Sequence, residues 1–290
     1  VPLLFAVALS DGALGGDEYA LVSSIKQLMY GGGVDLQSYA FHHLGWTILK
    51  LPLILLTELF MELGLASFVL NYFIVLDGPV ALGFSYFLCF RIVEFKTESQ
   101  RTAFYSTSAI FFGSPIISLW TGGFVENFII LFILIRLYSI VCGDLSLKQK
   151  FFCDFILFLL KPYCLAVILA FYLLDKKTRR SAVYLLVGFL LVCSVSYFKY
   201  FLWWDPSHPQ INPRIENLFF NFFLSIFSLP FGAICSYTLL AFYFWFSRLG
   251  LKKTRRDDDS LILICSVAAI NVFLCLFDFW YGPAGVSGAR

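Results

Sequence analysis

The sequence predicts an all-α fold: a polytopic transmembrane helical bundle with further helices lying at the membrane interface. Three observations predict it. Apolar residues make up 60% of the chain and charged residues only 14%, whereas about a quarter of an ordinary soluble domain is charged. Mean hydropathy is +0.82, so there is more apolar surface than one core can hide, and lipid must act as solvent for much of it. The apolar residues come in long unbroken runs rather than in alternation, which favours helices over a closed barrel when the backbone must satisfy its own hydrogen bonds.

The runs are taken in order. Val1–Leu9 reads as the last half of a spanning helix, so residues 1–290 are expected to form one transmembrane domain cut from a longer protein. Ser10–His43 is polar and holds an amphipathic helix over roughly Glu18–Tyr30, ended by Gly31-Gly32-Gly33. Leu44–Leu63 is apolar but carries Lys50, Glu58, Glu62 and Pro52. Charges at the centre of a lipid-exposed span cost about 2.5–3.5 kcal/mol each, so this run is expected to lie in the interface, packed on the bundle. The outer loop with its helices thus covers residues 10–63. Leu65–Phe90 reads as a true span, with a bend at Gly78-Pro79. Further runs follow at Ala103–Leu119, Phe128–Cys142, Phe151–Leu160, Tyr163–Leu174, Ala182–Trp203, Phe231–Phe246 and Leu261–Trp280. Leu218–Leu229 resembles a second interfacial helix. Lys161-Pro162 either separates two short spans or breaks one helix.

Net charge is only +2, but the placement of the charges is informative. Four loops hold most of the basic residues: Arg91 to Arg101, Lys148 to Lys150, Lys176 to Arg180, and Arg248 to Arg256. The positive-inside rule puts all four on one side if Leu44–Leu63 does not cross and Lys161-Pro162 parts two spans. The loops at Ser10–His43, Trp120–Asn127, Tyr200–Asn217 and Tyr281–Arg290 then face away from the cytoplasm. They carry Asp11, Asp17, Glu18, Asp35, His42, His43, Glu126, Asp205, His208, Arg214, Glu216 and Arg290. A protein that gathers carboxylates, His and Arg on one outer face is expected to work there. Trp120, Trp203 and Trp204 read as an aromatic belt.

The eight Cys stand singly inside apolar runs, so they read as small core residues rather than disulfides or zinc ligands. The sequence has no phosphate-binding glycine loop, no HExxH and no GxSxG. Nucleotide chemistry is therefore not indicated, and nucleic acid is not an expected partner. Arg136 lies inside a span, where it must reach the interface or pair with an acid on a neighbouring helix.

Asp17-Glu18 follows a Gly-rich turn and opens the amphipathic helix. Acids there gain roughly 0.3–1 kcal/mol from the free N–H groups, which is reason enough for their presence. The order of elements adds a second reason. The stretch GGDEYALVSSIKQLMYGGG, followed by YAFHHLGWTILKLPL, resembles the first outer loop of GT-C-type glycosyltransferases. The similarity is to the bacterial relatives of protein O-mannosyltransferases and of the lipid A aminoarabinose transferase. The approach to the next helix, His42-His43-Leu44-Gly45, lacks the prolines usual in that family. Glu126 occupies the place of an acidic residue in a later outer loop, and Lys161-Pro162 resembles a lysine-bearing break. FDFWYGPAGVSGAR resembles the family's W-x-G-G-x-x-x-G-x-R loop, with Pro283 where a second glycine is usual.

The resemblance implies a GT-C-like fold and a glycosyltransferase, inverting, in a bacterial inner membrane, acting on the face away from the cytoplasm. Its donor would be a polyprenyl-phosphate sugar and its acceptor a glycan, lipid or protein. Asp17 would be the base that takes the acceptor's proton, with Glu18 positioning it or the acceptor. Arg290, Arg214 and Lys50 would meet the leaving phosphate, whose charge grows as the bond breaks. Lys50 has a second reading, as a side chain that snorkels from an interfacial helix. His42, His43, Glu126 and Glu18 carry the ligand types of a divalent metal, although their spacing does not demand one. The alternative from another class is a transporter or flippase, with Lys50, Arg136, Asp154 and Lys161 along a translocation path. A third is a membrane scaffold with no use for Asp17.

Overall fold

The computed structural model describes residues 44–64, 67–112, 116, 119–120, 122–143, 145–161 and 164–175, together with Val22, Ser23, Ile25, Lys26, Met29 and Tyr30. Among these residues all regular structure is helical and none is strand. The helices are α1 (Leu44–Glu62), α2 (Ser67–Thr97), α3 (Gln100–Phe112), α4 (Val125–Cys142), α5 (Leu147–Leu160) and α6 (Leu165–Leu174). The described residues between 22 and 30 are also helical, inside the stretch expected to be amphipathic. The expected runs beyond residue 175 lie outside the described residues.

Among the described residues, two segments are long and apolar enough to cross a membrane: Phe73–Thr97 with a mean hydropathy of 1.8, and Val125–Cys142 with 2.0. The α2 helix runs on through Pro79 rather than ending there. The run at Ala103–Leu119 is not one helix: α3 stops at Phe112. Gly113, Ser114 and Pro115 follow, and proline lacks the N–H a helix needs and disfavours helical backbone in the residue before it.

Local chemistry sets the turns. Gly64 and Gly143 both take φ +84°, a left-handed conformation that a Cβ disfavours. Gly143 caps α4 by donating its N–H to Ser139 O at 2.9 Å. The α5 helix opens with a reciprocal cap: Gln149 N–H donates to Ser146 Oγ, and Ser146 N–H donates to Gln149 Oε1.

Packing orders the helices into antiparallel neighbours. Lys50 on α1 meets Asp77 on α2, and the Tyr86 and Ser108 hydroxyls bond at 2.9 Å between α2 and α3. Arg136 on α4 meets Asp154 on α5, while Glu126 at the start of α4 meets Lys161 just past α5. Lys150 early in α5 meets Asp175 just past α6. Thus α5 and α6 are a hairpin of separate helices, and the chain leaves α6 at the end where it entered α5.

The α2 and α4 helices pack most extensively, side by side and in the same direction. Where they meet, Gly78 faces Gly122 O, Gly123 Cα and the Asn127 amide. One apolar cluster joins Trp46, Ile54, Ile74, Ile129, Leu157, Ile168 and Phe171. A second joins Leu82, Cys89, Phe111 and Trp120. Trp120 is wholly buried and stacks on Phe112 at 5.7 Å. It belongs to the core and not to an interfacial belt, because its ring packs on Phe111 and Phe112 at the end of α3. Cys89, Cys153 and Cys164 are buried free thiols.

Outward-facing positions carry large apolar side chains, including Leu55, Leu56 and Leu59 on α1 and Phe73, Phe84 and Phe87 on α2. On α1 apolar residues thus occupy the exposed side as well as the core, where Trp46 and Ile54 point inward together with Lys50 and Thr57.

Candidate functional site

The bundle has two chemically different ends. At one, α2 passes into α3 through Arg91, Lys96 and Arg101, and α4 passes into α5 through the turn before Lys148. At the other, five chain segments converge. Asp77 and Gly78 of α2 lie against Gly122 and Asn127, next to Glu126. Lys161 reaches Glu126, and Gly45 of α1 packs on the Leu159–Leu160 backbone, where an added methyl would fall 2.6 Å from Leu160 N. Lys50 joins the group through Asp77. Between Gly78 and Arg91, α2 rises about 20 Å, at 1.5 Å per residue, so the two ends are well separated. The α1–α2 hairpin continues roughly 15 Å beyond the second end, from Asp77 back to Ser67.

Of the residues that the glycosyltransferase reading assigns to the site, Lys50 and Glu126 are described, and they share this end. Asp17, Glu18, His42, His43, Arg214 and Arg290 lie outside the described residues.

Lys50 does not snorkel. Its side chain is fully buried, and Nζ donates to Asp77 Oδ1 at 2.6 Å and to Ile74 O at 2.7 Å. Ile74 O neighbours the Val75 carbonyl, which Pro79 deprives of its usual helical N–H. The ammonium therefore stands where α2 is least self-sufficient. Glu126 sits in the first turn of α4, where a carboxylate is favoured by the helix dipole. Its Oε1 accepts from Lys161 Nζ at 3.0 Å, and its side chain keeps 44% of its surface exposed. Asn127 holds the preceding loop by donating to Leu119 O at 3.1 Å and Gly122 O at 2.8 Å.

Asp77 is the residue that sequence reasoning missed. The signal was available: it is the lone acid inside the run Leu65–Phe90, and a charge inside a span demands a counter-charge. Lys50, in the preceding apolar run, was the matching cation.

A second polar contact lies on the α1–α2 hairpin. Glu58 accepts from Tyr30 at 2.6 Å and pairs with Lys26 at 2.6 Å, tying the helical residues near 25 to α1. The Lys26 ammonium, and next the Tyr30 hydroxyl, hold the Glu58 carboxyl below its ordinary 4.5. The same hydrogen bond pushes the Tyr30 hydroxyl above its ordinary 10.0. A lowered carboxylate stabilises the fold fully above 4.5 and loses that contribution as the pH falls through the lowered value. A raised Tyr hydroxyl does the reverse, losing its contribution as the pH climbs past 10.0. The segment is expected to loosen from α1 in acid. Hydrogen exchange at Ile25 measured against pH checks this, and Glu58→Gln should abolish the acid limb. Unchanged acid behaviour in that variant would dismiss the role of Glu58.

Among the described residues, no group of three or more His, Cys, Asp or Glu is placed to hold a metal ion. The arrangement at this end offers paired charges, a half-exposed carboxylate and buried cations held by acids. No protein family, no curated protein and no solved structure matches the chain.

Proposed function

We propose that this chain is the membrane-embedded part of a glycosyltransferase. It would move a sugar from a polyprenyl-phosphate donor to an acceptor on the face away from the basic loops. The observation that carries the reading is the convergence of Lys50 and Glu126 at the end opposite Arg91, Lys96, Arg101 and Lys148. Those residues were singled out separately, and helix packing brings them to one level with Asp77 and Lys161. The order of the acidic pair, the His pair and the terminal Arg, with its GT-C resemblance, supports the same reading, as do two helices of membrane-crossing length and composition.

In this reading the bundle is polytopic and its paired-charge end faces the lipid headgroups on the non-cytoplasmic side. Asp17 takes the acceptor's proton, and Glu18 orients it. Arg290 and Arg214 meet the donor phosphate. Lys50 reaches that phosphate only by leaving Asp77, so donor binding and the α1–α2 contact would be coupled.

The test uses the protein in membranes, with a panel of radiolabelled polyprenyl-phosphate sugars. One sugar is expected to be transferred. Asp17→Asn should lower turnover by about 10²–10⁴-fold, the usual contribution of a positioned base, without loss of folded protein. Full turnover in that variant would sink the assignment of the base.

A second reading, transport of a lipid or small molecule, is favoured by the ion pairs buried between α4, α5 and α6. Substrate movement across vesicles with no label transfer from any donor would select it.

A further inference from the structure

Between α4, α5 and α6 lies a group of polar atoms that neither end of the bundle explains. Arg136 Nη1 and Nη2, Ser139 Oγ, Asp154 Oδ2 and Tyr172 OH are all buried and have no hydrogen-bonding partner among the described residues. Arg136 spends only Nε–H, on Asp154 Oδ1 at 2.7 Å. Its guanidinium lies over the Phe171 and Tyr172 rings, with centroids at 5.4 and 5.7 Å, contacts that use none of its N–H groups as hydrogen-bond donors to oxygen. Ser139 stands three residues along α4, on the same face. The Tyr172 hydroxyl lies beside the Asp154 carboxylate and interacts with it, although too loosely to satisfy either atom.

We infer that Arg136, Ser139, Asp154 and Tyr172 enclose a binding site for water, reached from the basic end of the bundle. Charge balance selects the ligand. Arg136 and Asp154 cancel, so an added anion or cation would leave a net charge buried in apolar surroundings, which is unfavourable. A neutral ligand meets no such cost. It must also both accept, from the Nη groups, and donate, to Asp154 Oδ2. Water does both, and internal waters commonly make about three hydrogen bonds to polar groups stranded in this way.

Lys150 and Asp175 supply the approach. Lys150 is four residues before Asp154 on α5, and Asp175 is three residues after Tyr172 at the end of α6. The two pair at 2.6 Å and keep 6% and 8% of their surface exposed. Polar groups therefore continue, turn by turn, from the basic end to the Arg136–Asp154 pair. On the opposite side of Asp154 the packing is apolar, through Leu157, Phe158 and Leu160.

Hydroxyl-radical footprinting by brief X-ray exposure tests this on the whole protein in lipid nanodiscs made up in ¹⁸O-water. A bound water is a local radical source, so Tyr172 should be oxidised about tenfold faster than Phe111, an equally buried ring in the other core cluster. The product should carry ¹⁸O. The double variant Arg136→Met with Asp154→Leu should bring Tyr172 down to the Phe111 rate. Equal rates in the unaltered protein would overturn the inference. So would fast labelling that survives in the double variant, because the water would then come from helix opening. If the double variant does not fold, the Tyr172-to-Phe111 ratio in the unaltered protein decides alone.

Discussion

Asp154→Ala is expected to lower the stability of the bundle by about 3–5 kcal/mol, the usual consequence of stripping one partner from a buried ion pair. Both side chains of the pair are fully inaccessible, so bulk solvent screens the charge left behind only weakly. Arg136 would keep its two aromatic neighbours, but a cation over a ring recovers only about 0.5–2 kcal/mol. Arg136→Met alone should cost a similar amount, by stranding the carboxylate. The double variant Arg136→Met with Asp154→Leu should cost far less than the sum, because an apolar pair of similar volume needs no hydrogen bonds. Chemical denaturation in detergent of the four proteins of this cycle measures the coupling. A loss below about 1 kcal/mol for Asp154→Ala would mean that the charge escapes to water, contrary to the packing described.

Gly78→Ala is expected to damage the bundle nearly as much, although it adds one methyl group. That methyl would overlap Gly122 O and fall 2.5 Å from the Asn127 amide and 2.6 Å from Gly123 Cα. Two of these neighbours are backbone, which cannot rotate aside. Overpacking of this kind typically costs about 1–3 kcal/mol. Here it also pulls Asn127 from Leu119 O and Gly122 O, each bond contributing roughly 1 kcal/mol more. Gly83, on the same helix, has open space around its added Cβ position. Gly83→Ala should therefore be neutral or slightly stabilising, since alanine is the better helix former by about 1 kcal/mol. Thermal unfolding of both variants separates close packing from helix propensity, and equal shifts would refute the steric account.

The helices of the described region were largely legible, because a continuous apolar run in a chain this poor in charge has little choice but helix. Their ends were less so. The α3 helix stops at Phe112 because of the Gly113-Ser114-Pro115 sequence, although the apolar pattern continues to Leu119. Trp120 was misplaced for a related reason. Hydropathy places a Trp near a loop at the interface, but it does not register that a helix ending early leaves a space for that ring.

Between α4 and α5, Arg136 had two readings and burial selected the pairing with an acid; the candidate site was less legible. Lys50 was legible as an unusual charge, but its partner was not sought, since Asp77 was absorbed into an apolar run. Proximity between Glu126 and Lys161, thirty-five positions apart, could not be read from sequence at all. It follows from the antiparallel packing of α4 and α5, which depends on side-chain fit along the whole interface.

That packing has a consequence for how the chain is built into a bilayer. At 14 and 10 residues, α5 and α6 are each shorter than the run of about 20 that crosses a bilayer unaided. They also carry Lys150, Asp154, Lys161 and Asp175, four charges whose partners lie on α4 or on each other. Neither helix is a plausible guest in lipid by itself. The pair becomes acceptable only once α4 is present to supply Glu126 and Arg136, and only in one register, since a slip by a single turn would part the fully buried Asp154 from Arg136. On the proposed membrane reading, α5 and α6 would therefore need α4 beside them before they could leave water.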